Sequence, residues 1–318
     1  MKLAIPVPPG GALRRRSPGR RQAAFRHSRY AGAVLRTRAW RSSSLRLLND
    51  RDLGEVLEIC DRDPVTNVFV SSRVHAVGLD PGRLGAQMWG YTESGRLTSL
   101  CYCGANMVPV AATSAAIAAF ADRARLQGRR CSSIVGPADS VAELWALLAP
   151  YWGRPREVRA RQPVMSISTA PLVPPDPLVR PVRPDELKTL LPASIAMFTE
   201  EVGVSPIGPD GGASYRARVS ELIRAGRSFA RIEDGQVVFK AEIGAVTTLA
   251  CQIQGVWVPP ELRSRGHASR GMAAVVTEAL RSIAPVASLY VNDFNAPARA
   301  AYRRVGFAEV DTFSSVLF

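Results

Sequence analysis

Histidine, cysteine and lysine are all scarce in this chain: three histidines, five cysteines and three lysines in 318 residues. His27, His75 and His267 lie far apart, and no pair of cysteines stands at metal-ligand spacing, so the sequence predicts no structural zinc. An odd cysteine count without a secretory leader argues for a reducing cytoplasm over a disulfide framework. The cysteines are expected to be small buried residues. No apolar run is long enough for a membrane span.

Acidic residues are absent from residues 1–44, which hold one lysine and ten arginines, among them Arg14-Arg15-Arg16 and Arg20-Arg21. The net charge of +14 therefore belongs mainly to this arm. The rest is nearly neutral. The arm reads as disordered, with three origins open: a binding arm for an anionic polymer or membrane, an organelle transit segment, or residues upstream of a true start near Val34 or Leu35. It is also the chain's sole claim to nucleic-acid binding, because the remainder shows no zinc-finger pattern or aromatic–basic interleaving.

What is present, at 47% hydrophobic and 21% charged, is a globular composition long enough for two domains. Leu45–Leu48 reads as a short strand and Asn49 as the cap of a helix running to about Cys60, with a mixed segment to Gly85. Residues 87–92 and 96–110 read as a hairpin across Glu93-Ser94-Gly95. Helices follow at Ala111–Leu126 and Val141–Leu148, with strands at Ser132–Val135 and Pro163–Ser168. The prolines at 171, 174, 175 and 177 mark a boundary, with a linker over 171–177.

After the linker the same grammar begins again. Arg46, Leu48, Asp52 and Leu53 are matched by Arg180, Val182, Glu186 and Leu187, and the turn Glu93-Ser94-Gly95 by Glu233-Asp234-Gly235. Val108-Pro109 is matched by Val258-Pro259, and Ser133-Ile134-Val135 by Leu289-Tyr290-Val291. The offset grows smoothly, as it does when small insertions accumulate between tandem copies of one α/β unit.

The richest stretch is 251–271. Ile253, Val256, Trp257 and Val258 form a strand stopped by Pro259-Pro260, and Met272, Val275, Val276, Ala279 and Ile283 recur on one face of a helix beginning near Ala268. The intervening Arg263-Ser264-Arg265-Gly266-His267-Ala268 offers unpaired amides, two guanidinium groups and close backbone approach, which suits a pyrophosphate.

The pattern Val258, Pro260, Arg263, Gly266, Ala268 resembles the acetyl-CoA signature of the GNAT superfamily of N-acetyltransferases. Residues 288–307 are similar to the family's next strand and helix, with Asn295, Ala298, Tyr302 and Gly306-Phe307 in register. The resemblance implies two tandem GNAT-like units, each a mixed, mostly antiparallel sheet flanked by helices, over 45–170 and 178–318. It implies acetyl-CoA as co-substrate and direct attack by an amine of a small molecule or protein. Val256, Trp257 and Val258 would hold the pantetheine arm, Arg263 to Ala268 (with Ser264, Arg265, Gly266 and His267) the pyrophosphate, and Tyr302 would be the general acid. Tyr302 has a packing reading as well, and Asn295 can be helix cap, pantetheine contact or both.

Many relatives carry a glutamate on the strand before the loop, where this chain has Gln252 and Gln254. Glu201 is the favoured base, with Glu200, Glu242 and a water chain as alternatives. The missing glutamate also supports an alternative function, a catalytically silent acyl-CoA-binding sensor. The first unit runs from Val108-Pro109 directly into Val110-Ala111-Ala112-Thr113-Ser114, and puts Asp139, Ala146 and Pro150 where the second has Asn295, Tyr302 and Gly306. It is expected to be a degenerate copy that packs or shapes the acceptor site.

Overall fold

The computed structural model describes residues 44–318, so the expectations for the basic arm lie outside the described residues, apart from Ser44. The first unit begins with strand β1 (Leu45–Leu47) and a 3-10 turn capped by Asn49, then helices α1 (Leu53–Asp61), α2 (Val68–Val77) and α3 (Pro81–Leu84). The segment before Gly85, read from sequence as mixed, is thus mostly helical. Strands β2 (Gln87–Glu93), β3 (Arg96–Cys103) and β4 (Asn106–Val110) form a meander, followed by α4 (Ser114–Gln127), β5 (Ser133–Pro137), α5 (Ala138–Trp152) and β6 (Glu157–Ile167). The expected single strand over 96–110 is two: the chain turns at Gly104-Ala105, and Leu100 pairs with Val110.

The second unit repeats this order. It comprises β7 (Arg180–Pro181), α6 (Leu187–Val202), α7 (Ala213–Arg224), β8 (Ser228–Glu233), β9 (Gln236–Val246), β10 (Cys251–Trp257), α8 (His267–Ser282), β11 (Ala287–Tyr290), α9 (Ala296–Val305) and β12 (Ala308–Leu317). The repeat reaches atomic detail. Arg46 holds Asp52 through two hydrogen bonds of 2.9 and 2.7 Å, and Arg180 holds Glu186 the same way at 2.8 and 2.6 Å. In each case the carboxylate also accepts from the backbone N–H three residues back. The two matched turns place Ser94 and Asp234 at the same left-handed φ, 49° and 47°.

All twelve strands make one sheet, in the order β1-β2-β3-β4-β5-β12-β6-β11-β10-β9-β8-β7. Each unit has given its last strand to the other. β12 lies between β5 and β6, paired from Phe313 with Pro137 to Leu317 with Ser133, while β6 pairs along β11 from Val164 with Tyr290 to Ile167 with Ala287.

Strand alternation sends side chains into two layers per unit. On β3, Leu100 and Tyr102 join the core under α1 and α2, and Cys101 the core under α4 and α5. On β8, Phe229 packs toward α8 and α9, and Ala230 toward α6 and α7. All five cysteines are free thiols, and burial pushes Cys60, Cys131 and Cys251 up to about 12. Among the described residues no helix is long and apolar enough to cross a membrane, and no cluster of three or more His, Cys, Asp or Glu could hold a metal ion.

Candidate active site

The second unit's two parallel strands separate almost as soon as they meet. β10 pairs with β11 only at Cys251 with Ala287 and Gln252 with Ser288; beyond that, Leu289 and Tyr290 pair with β6 while Gln254 and Trp257 pair with β9. A bulge drives the parting on one side. Between the pairs Gln254–Glu242 and Trp257–Lys240, two residues of β10 face one of β9. Gly255 takes φ +61° there, and an added Cβ would sit 3.0 Å from the Glu242 carboxyl carbon, so the bulge requires glycine. Its carbonyl accepts a 3.0 Å hydrogen bond from the fully buried Lys240, whose Nζ is 3.5 Å from Glu242. Gln254 also donates to Glu242, at 2.8 Å. Glu242 is thereby bound into a buried cluster shared between β9 and β10.

The wedge opens into a cleft of about 1030 Å³. Val256, Trp257 and Val258 line one side and Val291 and Asn292 the other. At one end lies the loop into α8. Gly266 is the helix N-cap at φ +84°, no side chain caps the first-turn amides, and the space where a Cβ would stand is open. An uncapped helix start presents N–H donors and a partial positive charge to an anion. Arg304 of α9 adds a guanidinium, donating to Ser269 Oγ at 3.3 Å. Arg263, Ser264, Gly266, His267 and Ala268 all line the cleft; Arg265 does not.

Arg263 is turned back across the cleft. It donates to the Val258 carbonyl at 3.0 Å and to Glu200 of α6 at 2.7 Å, and Glu200 also accepts from the Trp257 indole at 3.1 Å. The guanidinium, with help from the indole, holds the Glu200 carboxyl below the usual range. The far end carries Glu200, Glu201 and Glu157 beside Met197 and Phe294. Tyr302 of α9 lines the same cleft, packed against Phe307, and burial raises its phenol pKa well above the ordinary value. Asn295 caps α9 by accepting from the Ala298 N–H at 3.2 Å, and it too lines the cleft.

Several wall residues were not read from sequence, among them Asn292 and Arg304 of the second unit and Glu157 and Arg159 of the first. Arg159 of β6 makes paired bonds of 2.8 and 2.9 Å to Glu157, lowering that carboxyl's pKa, and donates to the Glu201 backbone carbonyl at 2.9 Å. The sequence signal for Glu157 and Arg159 was the alternation Glu157-Val158-Arg159, which extends the strand read at Pro163–Ser168 upstream.

The first unit's corresponding place is closed. β4 and β5 also pair only at Asn106 with Ser133 and Met107 with Ile134, but Pro109 then lies against Gly136, with its carbonyl 3.5 Å from where a Cβ would be. The start of α4 is capped by Thr113, and Glu93 and Glu143 accept hydrogen bonds from Thr113 and Ser114. Capped amides beside two carboxylates repel an anion.

A family model for the Acetyltransferase (GNAT) family matches residues 201–307, and one described as a Domain of unknown function (DUF4081) matches residues 86–190. No curated protein sequence matches the chain. Among solved structures it is similar to a GNAT-family acetyltransferase from Colwellia psychrerythraea (11% identity, TM-score 0.51, covering 86% of this chain and 99% of that one). It is also similar to a Drosophila protein (13%, 0.58, 87% and 99%) and to a tandem GNAT protein from the clavulanic acid biosynthesis pathway (14%, 0.51, 86% and 98%). At these identities the likeness speaks for the fold, which here is a tandem GNAT fold with a divergent first unit.

Proposed function

We propose that this chain, whose residues 201–307 are a GNAT acetyltransferase domain, is an acetyl-CoA-dependent N-acetyltransferase that acts on an amine of a small molecule or protein. The observation that carries the reading is the wedge between β10 and β11 opening onto an uncapped helix start, in one cleft with a buried phenol.

The residues present fit the co-substrate. The first-turn amides of α8 and the Arg304 guanidinium suit a pyrophosphate, and the apolar channel between Val256–Val258 and Asn295 suits the pantetheine arm. Bound there, acetyl-CoA supplies an activated acyl group. A nitrogen–carbon bond forms as the amine attacks the acyl carbon, and the carbon–sulfur bond breaks. Tyr302, kept protonated by burial, gives its proton to the departing sulfur. Glu201 takes the proton that the amine sheds, directly or through water. The amine attacks in its neutral form; Arg159 holds Glu157 and Arg263 holds Glu200, and the Arg159 bond to the Glu201 carbonyl fixes the end of α6 that carries Glu201.

A second reading, a silent acyl-CoA-binding sensor, is favoured by one observation: β10 offers Gln252 and Gln254, and the carboxylate paired across from Gln254 on β9, Glu242, is committed to Lys240 and Gln254. Calorimetric titration of acetyl-CoA into the full chain and into Gly266→Trp tests both. Binding in the parent that is lost in the variant supports the cofactor site, and turnover with an amine panel then separates enzyme from sensor. Absence of binding in the folded parent refutes both.

A further inference from the structure

The reacting centre of the proposed transferase lies where β11 runs out, and the segment just past β11 is held by the other unit. The Val291 N–H donates to the Pro163 carbonyl at 3.1 Å and the Asp293 N–H to the Arg161 carbonyl at 3.2 Å, so residues 291–293 are laid along β6 and away from β10. Between them, Asn292 is only 6% exposed yet lines the cleft across from Val256–Val258.

The orientation of its amide is dictated by a chain of hydrogen bonds that begins in the swapped strand. The Ser315 hydroxyl of β12 donates to Gln162 Oε1 at 2.6 Å, which leaves the Gln162 amide nitrogen to donate to Asn292 Oδ1 at 2.8 Å. Arg159 Nη1, which can only donate, approaches the same Oδ1 at 3.5 Å. Two donors converging on one atom require that atom to be the oxygen. The Asn292 Nδ2 is thereby turned away from β6, and it donates to no group among the described residues. Gln162 and Ser315 are buried at 1% and 4% exposure, so the chain cannot rearrange by exchanging partners with solvent.

A buried, pre-oriented amide donor at the open end of the wedge is suited to a carbonyl oxygen that gains negative charge as its carbon is attacked. We propose that Asn292 donates a hydrogen bond to the acyl carbonyl oxygen in the transferase site, and that Gln162 of the first unit is a positioning residue that aims it. This rests on the acetyl-CoA reading given above. It also gives the first unit a part in the chemistry although its own wedge is closed. The donor belongs to one unit and its orientation to the other, so the strand exchange becomes a requirement of the site.

The test reads the carbonyl itself and needs no acceptor. Full-length protein is saturated with acetyl-CoA carrying a carbon-13 label at the thioester carbonyl, and the isotope-edited infrared band is compared with that of free acetyl-CoA. Asn292→Asp keeps an oxygen for Gln162 and Arg159 but presents no N–H to the cleft; Gln162→Met keeps Asn292 and removes the group that aims it. The expected result is a band shifted to lower frequency in the parent, with the shift lost in N292D and reduced and broadened in Q162M. Thermal melts and acetyl-CoA titrations of all three proteins accompany the spectra. If N292D fails to fold or bind, Q162M carries the test, since a packing role alone would not move the band. A parent that binds acetyl-CoA and shows the same band as both variants overturns this inference and leaves the transferase reading standing. A folded parent that does not bind acetyl-CoA overturns the transferase reading itself. Once an acceptor is known, N292D should lower kcat by about 10²-fold, the usual effect of removing one such donor.

Discussion

Helix α8 lies against the sheet at Gly271, and the closeness of that contact can be tested with one methyl group. A Cβ built at Gly271 falls 2.6 to 2.7 Å from three ring carbons of Phe239, a fully buried residue of β9 in the core under α8 and α9. Alanine in place of glycine in a helix is worth ~1 kcal/mol on propensity alone. Overpacking a rigid core costs about 1–3 kcal/mol, and the Phe239 ring has no solvent to move into. With no room for the ring to yield, the clash falls in the upper part of that range and outweighs the propensity, giving G271A a net loss of about 1–2 kcal/mol. Gly54 of α1 supplies the control, because it is exposed and helical, and nothing lies within 4 Å of its added Cβ. G54A should gain up to about 1 kcal/mol. Urea titration, comparing midpoints at unchanged slope, reads both. A second consequence links packing to function: Gly271 sits one turn from the open amides at His267 and Ala268, so lifting α8 off Phe239 displaces the anion site. Acetyl-CoA affinity should fall in G271A and be unchanged in G54A. A G271A protein as stable as its parent, with parental affinity, would refute the claim that this contact seats the helix.

Tyr302→Phe should lower kcat about 10²-fold or more while leaving acetyl-CoA affinity intact, and the parent rate should show no decline near pH 10, where an exposed tyrosine ionises, because burial keeps this phenol protonated. Glu200→Gln should tighten acetyl-CoA binding severalfold by calorimetry, since Arg263 is then free of the carboxylate that holds it; weakened binding would mean that Glu200 aims Arg263 at the ligand. Arg180 holds Glu186 at about 2 against 4.5 unperturbed, so the native state is favoured in full above pH 4.5 and loses that contribution as pH falls toward 2; the acid-induced loss of stability should be smaller in E186Q. Removing residues 308–318 deletes β12 and should unfold both units together, seen as loss of a cooperative melt, because that strand closes the sheet between β5 and β6.

The parts of this molecule visible in its sequence are those written locally. Proline ends β10, glycine starts α8, and Arg46–Asp52 and Arg180–Glu186 stand six residues apart because each pair closes around one capped turn. What stayed hidden is pairing between distant segments. Nothing in the chain near residue 310 announces that β12 will lie beside Ser133–Pro137, and nothing near 159 that a guanidinium there will reach Glu201. Arg265, grouped by position with Arg263 and Gly266, points to the limit of reading a loop by adjacency, since it is Arg304, more than thirty residues on, that lines the cleft beside the helix start.

The closed wedge of the first unit follows from the same distinction. Its local signs were legible: no arginine–glycine loop after Val108-Pro109, and Thr113 in capping position. Those signs show only that the unit has no anion site at its own helix start. That it furnishes Glu157 and Arg159 to its neighbour's cleft, and through Gln162 orients Asn292, depends on the exchange of last strands, which sets β6 against β11. A unit whose own helix start is closed can still be held to its sequence at positions that face the other unit. Substitutions in the first unit at Glu93 or Glu143, beside its capped helix start, should therefore leave the second unit's turnover unchanged, whereas a change at Arg159 or Gln162 propagates directly to the second unit's cleft.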